Sequence, residues 1–418
     1  MVRIAPSEVA VASVSGFREV HRIGSKYTKS PWYEAIVPSP DPILFSMSDA
    51  RKHTARRKLF AHGFSAAALR KNWETVVSQK AEAAIANIRR EAEHGTTDVL
   101  KWFVLMATDV IAHLSFGQSL EMLETGEKSQ YVQALETALF SDSLRAELPW
   151  FHAMMRHWPV KRIRDMVHSS DGYILEYGKK AIAAARGQEG GRTNLFANML
   201  AEVDEKDGSS LTDSDIQWEA MGLIIAGSDT TAITLTYLIW AVLKRPDLQK
   251  RLEAEISAME GLVTDAQLEK LPLLNATVDE TLRLYGAAPG SLPRTVPFGG
   301  ARLDGLFLPG GTTVSTQAFT LHRDPSIFED PESFAVERFM DKATLSEYQK
   351  TAFSPFGAGA RTCLGVHLAM MELRRGAALF FKQCTGARLS EGMTDEMMKM
   401  ENRFLIAPIG HRCEITLQ

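Results

Sequence analysis

Apolar residues recur at three- and four-residue intervals along most of the chain, the period of a helix with one buried face. Two such stretches, Glu74–Glu93 and Leu100–Phe116, are rich in Ala and Leu, and His94-Gly95 carries stop chemistry after the first. A third opens at the capping pair Thr212-x-x-Asp215, runs through the apolar segment Ala220–Leu243 and stops before Pro246. Roughly 30 helical residues reach about 45 Å, enough to cross a domain. The stripe Leu274, Val278, Leu282, Tyr285 predicts a fourth helix, and Leu364–Gln383 a fifth. Strand signals are confined to the two ends, with Met1–Pro6 reading as the start of a strand, and to Ala301–Ser315. There Leu306-Phe307-Leu308 and Thr312-Thr313-Val314 flank Pro309-Gly310-Gly311 and predict a hairpin. Gly187–Thr193 and Asp204–Ser210 predict helix connections, not domain boundaries. The pattern predicts a mainly α fold with small β-sheets, α+β in class, forming one domain over residues 1–418 with one continuous core.

Composition narrows the partners. The 418 residues are 45% hydrophobic and carry a formal net charge of −4, and no basic stripe with interleaved aromatics points to nucleic acid. The three cysteines, at 363, 384 and 413, form no regular framework, so a reducing compartment with one functional thiolate fits, Cys384 and Cys413 being packing residues. No charged-then-apolar leader opens the chain. Ala220–Leu243 is long enough to span a bilayer, but Asp229 and the surrounding Ser228, Thr230, Thr231, Thr234 and Thr236 make a lipid-facing helix costly and predict a buried central one.

The densest chemistry lies in Phe356-Gly357-Ala358-Gly359-Ala360-Arg361-Thr362-Cys363-Leu364-Gly365. A cysteine at or near the first turn of the helix that follows meets unpaired N–H groups and the positive end of the dipole, which favour a thiolate. A thiolate is a soft ligand for iron, and thiolate-ligated haem is the arrangement that promotes O–O cleavage. Gly357, Gly359 and Gly365 allow close backbone approach to a flat cofactor, and Arg361 is a candidate for a haem propionate. The plainer alternative is a packed free cysteine at a loop–helix junction.

Two further constellations stand in order before it. Ala226-Gly227-Ser228-Asp229-Thr230-Thr231 puts an acid and an alcohol inside the central helix, where a threonine can bond back to the carbonyl four residues earlier, bend the helix and loosen the ladder; a satisfied polar patch at a helix interface is the competing reading. Glu280-Thr281-Leu282-Arg283 places two charges on one helix face, as an ordinary surface pair also would. His53 and Arg57 form an i,i+4 pair, otherwise readable as a solvated basic helix.

Taken together these motifs resemble the cytochrome P450 family, in its microsomal and fungal style, over nearly the whole chain. The resemblance implies a haem-thiolate monooxygenase with haem b, inserting one oxygen atom from O₂ into a hydrophobic organic substrate of secondary metabolism, such as a polyketide, terpenoid or indole alkaloid. It implies Cys363 as axial ligand, with Phe356, Gly357, Gly365 and Ala226 beside the haem and Arg361, Arg294, His53 and Arg57 at its propionates. Thr230 would hydrogen-bond activated dioxygen and Asp229 relay protons. Glu280, Arg283 and Arg338, the last in Val336-Glu337-Arg338-Phe339, would be a structural network; Val336 stands where the family usually has proline. Leu321-His322-Arg323-Asp324-Pro325 matches a recurrent family segment to which no chemistry is assigned. Electrons would come from NADPH through a cytochrome P450 reductase or similar donor, docking on the cysteine side at Arg374 and Arg375, with Arg70, Lys71, Arg51, Lys52 and Arg56. Pocket candidates are Tyr27–Pro40, Ala138–Trp158, Met221–Thr230, Ala287–Leu292 and Asn402–Ile406. A haem-thiolate isomerase or dehydratase and an inactive haem-binding paralogue are the competing functions. The expected state is a monomer, cytoplasmic as given. Full-length relatives are anchored in the endoplasmic-reticulum membrane, so the resemblance implies that this chain starts late, without the anchor and first helix.

Overall fold

The helices follow the apolar periodicity closely. In the computed structural model, which describes all residues but Pro38, 162–177, 180–193, 197–210, Leu262 and Gln418, helices cover Glu74–Ala92, Val99–Phe116, Asp213–Leu243, Pro272–Tyr285 and Val366–Gln383. The predicted connections Gly187–Thr193 and Asp204–Ser210 lie outside the described residues. Val99–Phe116 and Asp213–Leu243 are both long and apolar enough to cross a membrane, but most of each apolar stretch is buried in protein. The sequence reading took Ala220–Leu243 as the one long apolar run; Val99–Phe116 is a second, and it buries Asp109 against Lys80.

The central helix Asp213–Leu243 starts on a capping box between Thr212 and Asp215. It continues without interruption through Gly227, Ser228, Thr230, Thr234 and Thr236, although each of these hydroxyls donates to the carbonyl four residues back. The helix runs unbroken through Gly227. A Cβ there would fall 2.9 Å from Ile111 Cγ1, so its role is close packing on Val99–Phe116. On another side the cysteine helix Val366–Gln383 packs as tightly: a Cβ on Gly376 would stand 3.0 Å from Leu235 Cδ1.

The main sheet orders its strands Val2–Ala5, Glu8–Val11, Thr313–Thr316, Arg294–Thr295 and Thr28–Lys29. The predicted hairpin is displaced. Leu306–Leu308 pairs with Ala301–Leu303 through Asp304-Gly305, while Thr313–Thr316 joins the main sheet instead. Asp304 (φ 47°) and Gly305 (φ 80°) are both left-handed, the twist a two-residue hairpin turn requires, so Asp-Gly outcompetes Pro-Gly-Gly as the turn.

Behind the cysteine loop sits a saturated guanidinium. Arg283 and Glu280 are fully buried and paired at 2.8 Å. All five Arg283 donors are used: two on Glu280, and the others on the carbonyls of His322 (2.7 Å), Pro331 (2.6 Å) and Ser333 (2.9 Å). Arg338 is looser. Its Nε lies 3.5 Å from Glu280, too long for a good hydrogen bond, while its Nη2 donates to Asp330 O at 2.7 Å. Removing Arg283 strands a buried carboxylate and three carbonyls, so Arg283→Ala is expected to cost about 3–5 kcal/mol. Thermal denaturation checks this, and a melting temperature near that of the parent would contradict it. Arg338→Ala is expected to cost clearly less.

Candidate functional site

The cysteine loop is built by backbone geometry. Phe356 O accepts the Cys363 N–H at 2.9 Å, closing a loop in which Gly357 (φ 69°) and Gly359 (φ 65°) take left-handed conformations. Gly359 has a second reason to be glycine: a Cβ would collide with His21 O at 1.9 Å. Gly365 has no such conformational need, its φ being −83°; a Cβ there would stand 4.0 Å from the Cys363 sulfur.

Cys363 lies outside the helix. The helix begins at Val366 with Gly365 as N-cap, so the cysteine precedes the first turn. Burial pushes its thiol up, opposed by a hydrogen bond from the Gly365 backbone and by the nearby Arg57. The expected position at or near the first turn is thus shifted to just before the N-cap, where the Gly365 N–H still reaches the sulfur. Cys363 is nonetheless exposed at contact range even though protein surrounds it more widely, whereas Cys384 and Cys413 are buried. Burial also raises those two thiols, Cys384 to about 12.

Around this cysteine the fold gathers positive charge. His53 is buried on the helix Ala50–Ala61, its pKa lowered to about 3 by burial and then by Arg361, Lys29, Arg57 and Arg294. It is therefore neutral at physiological pH. Arg361, lowered to about 10 by burial and then by Arg294, places two of its five donors on the carbonyls of Met47 (2.7 Å) and Ser48 (3.2 Å). Arg294 is buried and donates to Tyr33 Oη and Pro293 O, each at 3.0 Å. Burial likewise lowers Arg57. Among the described residues no ion pair joins Lys29, Arg57, Arg294 or Arg361 to a carboxylate. Charges taken out of water without a counter-charge are costly, and here Lys29 and Arg294 are buried and Arg57 and Arg361 half-buried, so this cluster fits a group that brings its own anions, as the two propionates of a haem do.

The polar turn of the central helix has a distinct orientation. Thr230 Oγ1 donates to Ala226 O at 2.7 Å, and Ala226 is exposed although Ile224 and Ser228 on the same turn are buried. Thr231 points the other way, toward Glu372 of the cysteine helix, whose carboxyl is pushed well up by burial, opposed by the hydrogen bond with Thr231. Asp229 is half-buried.

The expected pocket segments meet in part. Phe404, at the tip between Met400–Arg403 and Leu405–Pro408, packs on Trp32 at 5.7 Å and Phe45 at 5.9 Å. Ile406 N–H donates to Ala287 O at 2.9 Å, joining the 287–292 stretch. Trp32 Nε1 donates to Glu147 at 2.7 Å, which brings in 138–158, several of whose side chains lie outside the described residues. A Cβ on Gly222 would approach Ile43 Cδ1 to 2.8 Å, so the central helix closes on the 43–45 segment.

The expected basic docking face is largely refuted. Arg374 and Arg375 are buried, pairing with Asp265 at 2.7 Å and Glu74 at 3.3 Å. Arg70 pairs with Asp265 and Glu269, and Arg56 with Asp215 and Glu219, which fastens the start of the central helix to Ala50–Ala61. A helical period shows which residues share a face, but not whether a neighbouring element covers it. Only Arg51, Lys52 and Lys71 of that set are exposed without an ion pair among the described residues. One residue of the cationic cluster, Lys29, was missed, together with the buried Tyr33 that accepts from Arg294. The signal was a lysine set among Tyr27, Trp32, Tyr33 and Phe45, within a segment read only as pocket wall.

Comparison with known proteins agrees with this geometry. The family model described as Cytochrome P450 matches residues 2–412. "Cytochrome P450 monooxygenase cypX" of Dothistroma septosporum is 41% identical, covering 100% of this chain and 83% of the relative. "Cytochrome P450 monooxygenase stcB" of Emericella nidulans is 40% identical over 100% of this chain and 81% of the relative. "Cytochrome P450 monooxygenase aflV" of Aspergillus parasiticus is 39% identical over 100% and 84%. A family match over almost the full chain, with fungal relatives near 40% identity and the mainly helical fold, makes this chain a cytochrome P450 monooxygenase, an oxidoreductase of the haem-thiolate family.

Proposed function

We propose that Cys363 supplies the thiolate to the haem b this family carries, with Arg57, Arg294, Arg361 and neutral His53 at its propionates and Thr230 and Asp229 on the oxygen side. The observation that carries this reading is the set of buried and half-buried cations that pair with no carboxylate among the described residues, of which Arg57 acts directly on the one exposed cysteine. When bound, a thiolate-ligated haem supplies the activation of O₂. The protein's part is to orient, to exclude water and to deliver protons. His53, neutral through burial, donates a ring N–H without adding charge. The hydroxyl proton of Thr230 is spent on Ala226 O, so its oxygen presents lone pairs and can hold a proton-bearing partner in place. Asp229, one residue before it on the same helix, is placed to pass protons toward that oxygen.

The substrate we infer is a hydrophobic secondary metabolite. The side chains of Trp32, Phe45 and Phe404 meet where the expected pocket segments converge. The relatives bear monooxygenase names, which favours oxygen insertion over isomerisation or an inactive paralogue. Electrons come from NADPH through a flavoprotein reductase, and Arg51, Lys52 and Lys71 are the cations left to steer an acidic partner.

Cys363→Ala is expected to abolish the thiolate-type reduced carbon-monoxide difference spectrum, while Cys384→Ala and Cys413→Ala keep it. The same spectrum from the Cys363 variant would defeat the assignment.

For Thr230→Ala we expect normal haem content but a several-fold lower yield of product per NADPH consumed, the electrons appearing as peroxide or water. Thr230→Ser, which restores an oxygen at that position, is expected to recover much of the yield. Equal yield in the parent and the Ala variant would remove Thr230 from proton handling.

A further inference from the structure

Lys29 is the cation that this arrangement leaves least explained. It sits on the short strand Thr28–Lys29, nine-tenths buried, directly across an antiparallel pair from the buried Arg294. Like charges facing each other across a sheet destabilise it, and more so away from water. The ammonium rests on the rings of Tyr33 (4.1 Å) and Phe45 (4.5 Å) and donates to Phe45 O, leaving N–H donors over. Among the described residues no carboxylate pairs with it. Arg294 and Arg361 are the charges that press on it most. Tyr33 is buried as well. Its oxygen accepts from Arg294, and no acceptor is seen for its own proton. Two donors from neighbouring positions thus converge on the same side as two arginines, with no anion from the protein.

We propose that Lys29, assisted by the Tyr33 hydroxyl, binds a carboxylate of the haem together with Arg294 and Arg361. This rests on the haem-thiolate reading above. One carboxylate between Lys29 and Arg294 turns the cross-strand repulsion into two charge-assisted contacts and gives the Tyr33 proton an acceptor. It also explains why a lysine is kept in an aromatic-walled segment. The aromatic rings fix the ammonium laterally, and the strand register fixes it against Arg294.

The test uses the purified holoenzyme. Haem release to excess apomyoglobin is followed in the parent, Lys29→Met, Lys29→Arg and, as a charge control, the exposed Lys270→Met. Resonance Raman spectra report the propionate bending band in each. Losing one charge-assisted hydrogen bond is expected to speed release about tenfold in Lys29→Met. The propionate band is expected to shift in the same variant, Lys29→Arg to fall back toward the parent, and Lys270→Met to match it. If Lys29→Met does not fold, Tyr33→Phe removes only one O–H, with an expected speeding of about threefold. A carboxylate on the substrate is the other source of the same chemistry. It is probed by spectral titration with 4-(imidazol-1-yl)benzoate against neutral 1-phenylimidazole. Weaker binding of the benzoate alone, with haem release and the propionate band unchanged, would overturn the proposal and assign Lys29 to substrate. Unchanged release, band and titrations would leave it a packing residue and overturn it too. A parent protein that binds no haem would instead sink the haem-thiolate reading itself, an outcome visible in its absorbance before any variant is made.

Discussion

Much of the site is held in place by one side chain that does no chemistry. Arg283 gathers a carboxylate from its own helix and three carbonyls from the 322–333 stretch, so three of its five bonds fix that stretch to Pro272–Tyr285 through a single planar group. His322 continues the chain of constraints. Its Nδ1 lies 2.8 Å from Arg283 O and its Nε2 accepts from the Ser354 N–H at 2.9 Å. Burial lowers its pKa to about 3, so the ring is neutral and its tautomer is set: it donates through Nδ1 and accepts through Nε2. Ser354 begins the segment whose Phe356 carbonyl closes on Cys363. The position of the cysteine is thus inherited, bond by bond, from a buried ion pair. Lysine could not replace this arginine, because an ammonium has three donors and no plane.

The second constraint is electrostatic and works in the opposite sense. The Arg283 pair is compensated within the protein; the cations at 29, 57, 294 and 361 are not. A fold tolerates such a cluster when a ligand completes it, and binding energy then becomes folding energy. Arg56 shows the contrast. One residue before Arg57 on the same helix, it meets Asp215 at 3.0 Å and Glu219 at 2.8 Å. Adjacent arginines on one helix therefore serve different ends, one tying the central helix to its neighbour and one turned toward the cysteine.

This division explains what could be read from the sequence. Helix extents, the capping box at Thr212 and the buried central helix were legible because each depends on local period or local chemistry. The Asp304-Gly305 turn was misread because two turn signals lay five residues apart and the outcome depended on which strand found a partner in the main sheet. Motifs with fixed spacing located Cys363, Thr230 and the Glu280–Arg283 pair. Lys29 was missed because its meaning lies in the residue across the strand, 265 positions away in sequence. Arg374 and Arg375 were assigned to the surface because helical spacing cannot reveal that Asp265 and Glu74 cover that face.

The cysteine itself teaches the limits of a local argument. A helix dipole is worth up to ~2 kcal/mol in favourable partly buried geometry, and here Cys363 stands before the N-cap, where only one backbone N–H reaches it. Desolvation of a buried thiolate is the larger effect, so its pKa moves up despite Arg57. The protein does not prepare the thiolate in advance. What it prepares is position: two left-handed glycines, one carbonyl–amide bond and a rigid helix behind them. On the haem-thiolate reading proposed above, the metal would supply the charge that makes deprotonation favourable, so ligation and ionisation of Cys363 would be one event and not two. On the same reading the cations at 29, 57, 294 and 361 would be balanced by the anions of the cofactor. On that reading one ligand would complete both groups, which would couple cofactor loading to the stability of the fold.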